Sequence, residues 1–136
     1  MNDLIMYLLN FALDNGIAWA IKQEDPYFPP MSFHKSRKLI VNMNWHNKWE
    51  IPFMIGHEIG HLMNDDPGIS YYNSATVRGS AEREADLYSL NLIFDYAMAR
   101  CEPVYEPIEF MQQYGIPERM LNDTVKLFRD NDDLLF

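Results

Sequence analysis

Between Trp49 and Asn64 the chain reads Trp-Glu-Ile-Pro-Phe-Met-Ile-Gly-His-Glu-Ile-Gly-His-Leu-Met-Asn, apolar nearly all round a helical wheel yet carrying two histidines one turn apart. A helix that is apolar on every side must be buried by the rest of its domain. Imidazoles inside such a helix cost free energy unless they find polar partners. The fold therefore has to wrap this segment in hydrophobic surface and still supply company for His57 and His61. Pro52 suits a first turn, and Asn64, Asp65, Asp66, Pro67 and Gly68 supply the stop.

The chemistry of the pair follows from its spacing. On a helix, His57 and His61 lie on one face with Cβ atoms about 5–6 Å apart, close enough to hold one metal ion. Glu58 points about a quarter turn from His57, where a carboxylate acts on water at the metal instead of ligating it. A chain with four histidines contains H-E-x-x-H by chance on the order of one time in a hundred, so the buried setting and a third ligand have to carry the assignment.

A catalytic zinc takes three protein ligands and keeps one position open. A third histidine six residues past His61 is absent, because Pro67 stands there, which argues against a metzincin-like site. The remaining candidates lie in the second strongly helical run, Ala81-Glu82-Arg83-Glu84-Ala85-Asp86-Leu87-Tyr88-Ser89-Leu90-Asn91-Leu92-Ile93. On its wheel Ala85, Tyr88, Ser89, Leu92, Ile93 and Tyr96 form one side, with Glu82 and Asp86 on the border. Glu84 falls about 200° round from Glu82, on the polar face. Glu82 is thus the expected third ligand and Glu84 the solvated one. Asp86 is placed to accept the free ring N–H of a ligating histidine, the alternative being an ion pair with Arg83.

His57-Glu58-Ile59-Gly60-His61, preceded by the strand-like Lys38-Leu39-Ile40-Val41-Asn42 and followed by Ala81-Glu82-Arg83-Glu84-Ala85-Asp86, resembles the ImmA/IrrE family of metallopeptidases over about residues 38–95. That resemblance implies metal ligands at His57, His61 and Glu82, with Glu58 as the base. It further implies zinc-dependent cleavage of a helix-turn-helix transcriptional repressor from a phage, other mobile element or stress circuit, an anti-repressor role. The second helix departs from the L-L-x-P ending of many members, reading Leu92-Ile93-Phe94-Asp95. The chemistry expected is metal-assisted peptide hydrolysis, with Glu58 moving the proton of the attacking water to the leaving amine. Two other classes are compatible with the residues: a non-proteolytic partner-binding module of a toxin–antitoxin-like pair that retains the zinc fold, and a hydrolase of small amides or peptides.

A chain of 136 residues, 48% hydrophobic, is read as a single domain able to bury a core: residues 1–48 a helix and small sheet, 49–100 the metal-site helices, 101–136 a helical segment. The apolar run from Leu4 to Leu13 is broken by Asn10, is about half a membrane span and follows an acidic start, so neither signal peptide nor membrane helix is expected. A single cysteine, Cys101, suits a reducing cytoplasm and reads as a small buried residue. The net charge of −9 repels phosphate and argues against direct nucleic-acid binding. It suits a protein partner with a basic face, or simply solubility.

The expected order is a helix over residues 2–14, a strand in which Ile17, Trp19 and Ile21 alternate, and a Pro-rich turn at residues 25–30 leading to a strand at about 38–43. The motif helix, a loop at 64–79 and the site helix at about 80–100 follow. Two short helices from Glu106 to Phe128, broken at Gly115-Ile116-Pro117, complete the chain. Strands early and helices late indicate an α+β domain, a small N-terminal sheet packed on a helical zinc-peptidase core. The last two helices have helix-turn-helix spacing, but Arg119, Lys126 and Arg129 are too few cations for an operator reader, so packing or substrate docking is expected. Tyr71 and Tyr72 are read as packing aromatics that could also donate to an oxyanion, and His34 and His46 as solvated or structural.

Overall fold

The computed structural model describes residues 2–64, 75–100 and 103–131. Helix α1 (Asn2–Asp14) ends at Asn15-Gly16, where Gly16 takes a positive φ of 74° that costs glycine nothing. The chain then enters β1 (Ala18–Lys22), crosses to β2 (Met31–Phe33) and returns as β3 (Lys38–Asn42). β3 is the central strand of a three-stranded sheet, parallel to β1 with Trp19 opposite Leu39, and antiparallel to β2 with Ser32 opposite Leu39. The helical part follows as α2 (Ile51–Met63), α3 (Ala75–Met98), α4 (Pro107–Tyr114) and α5 (Leu121–Asp130), with 3-10 turns at Lys48–Glu50 and Glu118–Met120. Among the described residues the domain is α+β, a small sheet and five α-helices.

Helices α1 and α2 bury their apolar sides together with β3. Leu4, Leu8, Leu9 and Ala12 meet Leu39, Val41, Ile55, Ile59 and Leu62, all at most 2% exposed, while Phe94, Phe110 and Phe128 stack edge-to-face at the C-terminal end. Polar side chains hold the ends of these elements. Asn42, buried at the end of β3, accepts from the amides of Glu24 and Asn44 and donates to the carbonyls of Asp25 and Phe28, so one amide uses its hydrogen-bonding capacity to fasten the Pro-rich turn. Arg37, at φ 46° in the turn before β3, donates to the carbonyls of Asn15 and Leu62 and so ties the C-terminal ends of α1 and α2 together.

Three features depart from the expectations. β2 is a separate strand that the Pro-rich stretch concealed: it has three residues, and the extended conformation that Pro29 and Pro30 impose on their neighbourhood leads into it. Around β1, an edge strand, the alternation fades: Ile17 just before it is fully buried, Trp19 is half-buried and Ile21 is exposed. Helix α3 starts at Ala75, inside the stretch expected to be loop. No helix among the described residues is long and apolar enough to cross a membrane. Tyr71, Tyr72 and Cys101 lie outside the described residues.

Candidate metal centre

Helix α2 is buried at Ile51, Pro52, Phe53, Ile55, Gly56, Ile59, Gly60 and Leu62, which leaves His57, Glu58 and His61 on a narrow, partly exposed strip. What brings carboxylates to that strip is the approach of α3, and two glycines permit it. A Cβ on Gly56 would lie 2.2 Å from Ser89 Oγ, and one on Gly60 would lie 3.0 Å from the backbone of Ala85 and 2.9 Å from Tyr88 Cβ. Ser89 completes the contact by donating 2.7 Å to the Phe53 carbonyl, a buried hydroxyl bonded across the helix pair. We expect Gly60→Ala to gain about 1 kcal/mol of helix propensity and to lose more, because overpacking costs about 1–3 kcal/mol where the neighbour is backbone. Denaturant unfolding should show a lower midpoint; a midpoint at or above that of the parent protein would refute the close-approach argument.

With α3 this near, Glu82 and Asp86, one turn apart, reach opposite edges of the same imidazole. Asp86 Oδ1 lies 2.9 Å from His57 Nδ1, and Glu82 Oε2 lies 3.1 Å from His57 Nε2. Glu82 Oε1 is 2.8 Å from His61 Nε2, and the two Nε2 atoms are 3.1 Å apart. His57, His61 and Glu82 thus form a group whose ligand atoms lie within 4.8 Å of one another and which could hold a metal ion. A carboxylate faces each nitrogen of the His57 ring; with Nε2 given to a metal, Asp86 is placed to accept the proton that stays on Nδ1. Two imidazole nitrogens and a carboxylate are a zinc-type donor set, and an ion at about 2.0–2.1 Å from each in tetrahedral geometry would space them about 3.3 Å apart. The observed spacings of 2.8–3.1 Å lie within about half an ångström of that demand. The histidine side chains are 15% exposed and Glu82 54%, so the group opens to solvent on the Glu82 side.

Electrostatics divides the surrounding carboxyls. Burial works to raise the Asp86 carboxyl, but hydrogen bonds and charge from His57 and Arg119 outweigh it and hold the group at about 2. Burial likewise works to lower the His57 imidazole. The Asp86 hydrogen bond and the charges of Glu58, Glu82 and Asp86 prevail, leaving it above its ordinary value. Glu58 goes the other way from Asp86: burial pushes its carboxyl up, against a hydrogen bond with Ser32 of β2 and the pull of His57 and His61. The two carboxyls are thereby shifted in opposite directions, Asp86 down by its partners and Glu58 up by burial.

The residues singled out from sequence fall as follows. His57, His61 and Glu82 come together, Glu58 lies beside them, and Asp86 holds His57 instead of pairing with Arg83, which forms a two-point pair with Asp123 of α5. Glu84 is exposed. His46 stacks on Tyr27 at 4.4 Å and meets Trp45 in a tilted contact at 4.5 Å, with Nδ1 at 3.2 Å from the Pro26 carbonyl, a structural role in the turn. His34 sits half-buried in the turn after β2, and the metal-competent group found among the described residues includes neither it nor His46. Sequence reasoning missed Ser32 and Arg119. Ser32 could have been noticed only by predicting β2, and Arg119 only by knowing that a turn in the C-terminal segment lands on α3. Comparison with known proteins adds no relative: no protein-family model, no curated protein and no solved structure matches the chain.

Proposed function

We propose that this protein is a zinc-dependent endopeptidase of the ImmA/IrrE type, cleaving a protein substrate at a specific peptide bond. The observation that carries the reading is the convergence of His57 Nε2, His61 Nε2 and the Glu82 carboxylate at 2.8–3.1 Å with Glu58 on the same strip of α2. His57, His61 and Glu82 would hold the zinc ion, which when bound would supply Lewis acidity toward a carbonyl and toward water. Glu58 accepts the proton from the attacking water and returns it to the leaving amine, a task for which a carboxyl raised by burial is suited. Asp86, at 2.9 Å from His57 Nδ1, would accept the ring proton there when Nε2 is turned to the metal. The strip on α2 lies against β2, with Ser32 bonded to Glu58, so the carboxylate is held in place from the sheet side.

The substrate class is carried by the resemblance of residues 38–95: a helix-turn-helix repressor, cut to relieve repression. The acidic chain, at −9, accommodates the basic surface that DNA-binding proteins carry. The reading is tested first by stoichiometry. The purified protein should carry about one divalent metal per chain, and adding zinc to the chelated protein should raise its unfolding temperature. Elemental analysis without bound metal, together with an unfolding temperature indifferent to zinc, would remove the metal centre and the peptidase reading with it.

A further inference from the structure

We propose that Arg119 is a positioning residue of the metal centre: acting through Asp86, it holds the His57 ring in the orientation that turns Nε2 toward His61 and Glu82. The inference rests on the metal-centre reading and goes beyond it, because it makes the C-terminal segment part of the site. Arg119 Nε donates to Asp86 Oδ2 at 2.9 Å and Nη2 donates to Oδ1 at 3.0 Å, the same oxygen that accepts from His57 Nδ1 at 2.9 Å. A carboxylate bonded only to one imidazole is free to turn about its terminal torsion, which has broad wells. A guanidinium fork bonded to both oxygens fixes the carboxylate plane, and with it the direction in which Oδ1 receives the ring N–H. Asp86 is only 8% exposed, so this fork also supplies the partner that a buried charge requires.

The placement of Arg119 is itself built in. Its guanidinium lies over the Phe53 ring, 5.5 Å from the centroid, on the helix that carries His57. The turn that delivers it begins at Gly115, in the left-handed region at φ 68°, where a Cβ would collide with the Trp49 carbonyl at 1.9 Å. It is then pinned by Met120, fully buried in the core. The segment's other cross-link to α3, Arg83 to Asp123, is of the same chemical kind but touches no ring that bears a metal ligand atom. That difference provides an internal control.

Four proteins should be compared: the parent, Arg119→Met, Arg119→Lys and Asp123→Asn. The imidazole nitrogen resonances of His57 are read in the metal-free state and zinc affinity by competition with a chelating dye. Arg119→Met should weaken zinc about 10–100-fold, the range for losing a group that orients a ligand, and Asp123→Asn should stay within about twofold of the parent. In the metal-free Arg119→Met protein the Nδ1 signal of His57 should move away from the parent's position, because its bond to Asp86 is no longer held in one direction. Arg119→Lys, which keeps the charge but not the fork, should recover only part of the affinity. Arg119→Met binding zinc as tightly as Asp123→Asn, with unchanged His57 resonances, would overturn the proposal. If Arg119→Met does not fold, Arg119→Lys decides: affinity below that of Asp123→Asn supports the fork and equal affinity overturns it. Should the parent bind no zinc, the metal-centre reading fails separately, and the metal-free resonances still decide whether Arg119 sets the His57 orientation.

Discussion

Glu58→Gln should retain the fold and the metal and lose about two orders of magnitude or more in peptide cleavage. The amide has the size of the carboxylate and can still hydrogen-bond Ser32, so the packing of α2 against β2 is kept. It cannot accept a proton from water or pass one to a leaving amine. Burial disfavours the charged form of this carboxyl, so its replacement removes a desolvation cost and the variant should unfold at a temperature equal to or above that of the parent. The measurement is single-turnover cleavage of a helix-turn-helix repressor offered as substrate, with metal content determined on the same preparations. Undiminished cleavage by Glu58→Gln would mean that Glu58 is not the base. A parent protein that binds the repressor tightly and never cuts it would transfer the assignment to a partner-binding module.

Glu82→Ala and Glu84→Ala should separate just as sharply. Glu82 contributes two oxygens that reach His57 and His61 at 3.1 and 2.8 Å, and removing it leaves two imidazoles, too few donors to retain zinc well. Most of the metal should be lost, and activity with it. Glu84 is exposed two residues further on, so its replacement should cost less than about 0.5 kcal/mol and leave the metal content unchanged. Zinc stoichiometry measured side by side decides the matter. Depletion in the Glu84 variant with full occupancy in the Glu82 variant would contradict the observed phase of α3.

That phase was readable before any coordinates, because a 100° step per residue separates positions 82 and 84 whatever the tertiary structure does. The same holds for the ends of α1 and α4, where Gly16 and Gly115 take the positive φ that L residues avoid, and for the break at Gly115-Ile116-Pro117. Local rules failed where the element was short or its cover was distant. β2 has three residues, too few for alternation to show, and Met31 and Phe33 are both exposed. The burial of Ile17 against the exposure of Ile21 is set by tertiary packing around an edge strand, which no local pattern contains. The glycines of the motif helix were visible, but their purpose was not, since it lies in Ser89, Ala85 and Tyr88 of another helix.

The sequence by itself determined the ingredients and their local geometry: two imidazoles one turn apart, a carboxylate beside them, and a second helix whose border carries Glu82 and Asp86. These follow from helical periodicity and hydrophobic patterning, which act over a few residues. Only the tertiary structure decided which edges meet. The approach of α3 through Gly56 and Gly60 set Glu82 against Nε2 and Asp86 against Nδ1 of one ring. The return of the C-terminal segment brought Arg119 to Asp86 across 33 residues of chain. Such pairings are fixed by the shape of a close-packed interior, where contact depends on what fills the space between elements and not on their separation along the chain.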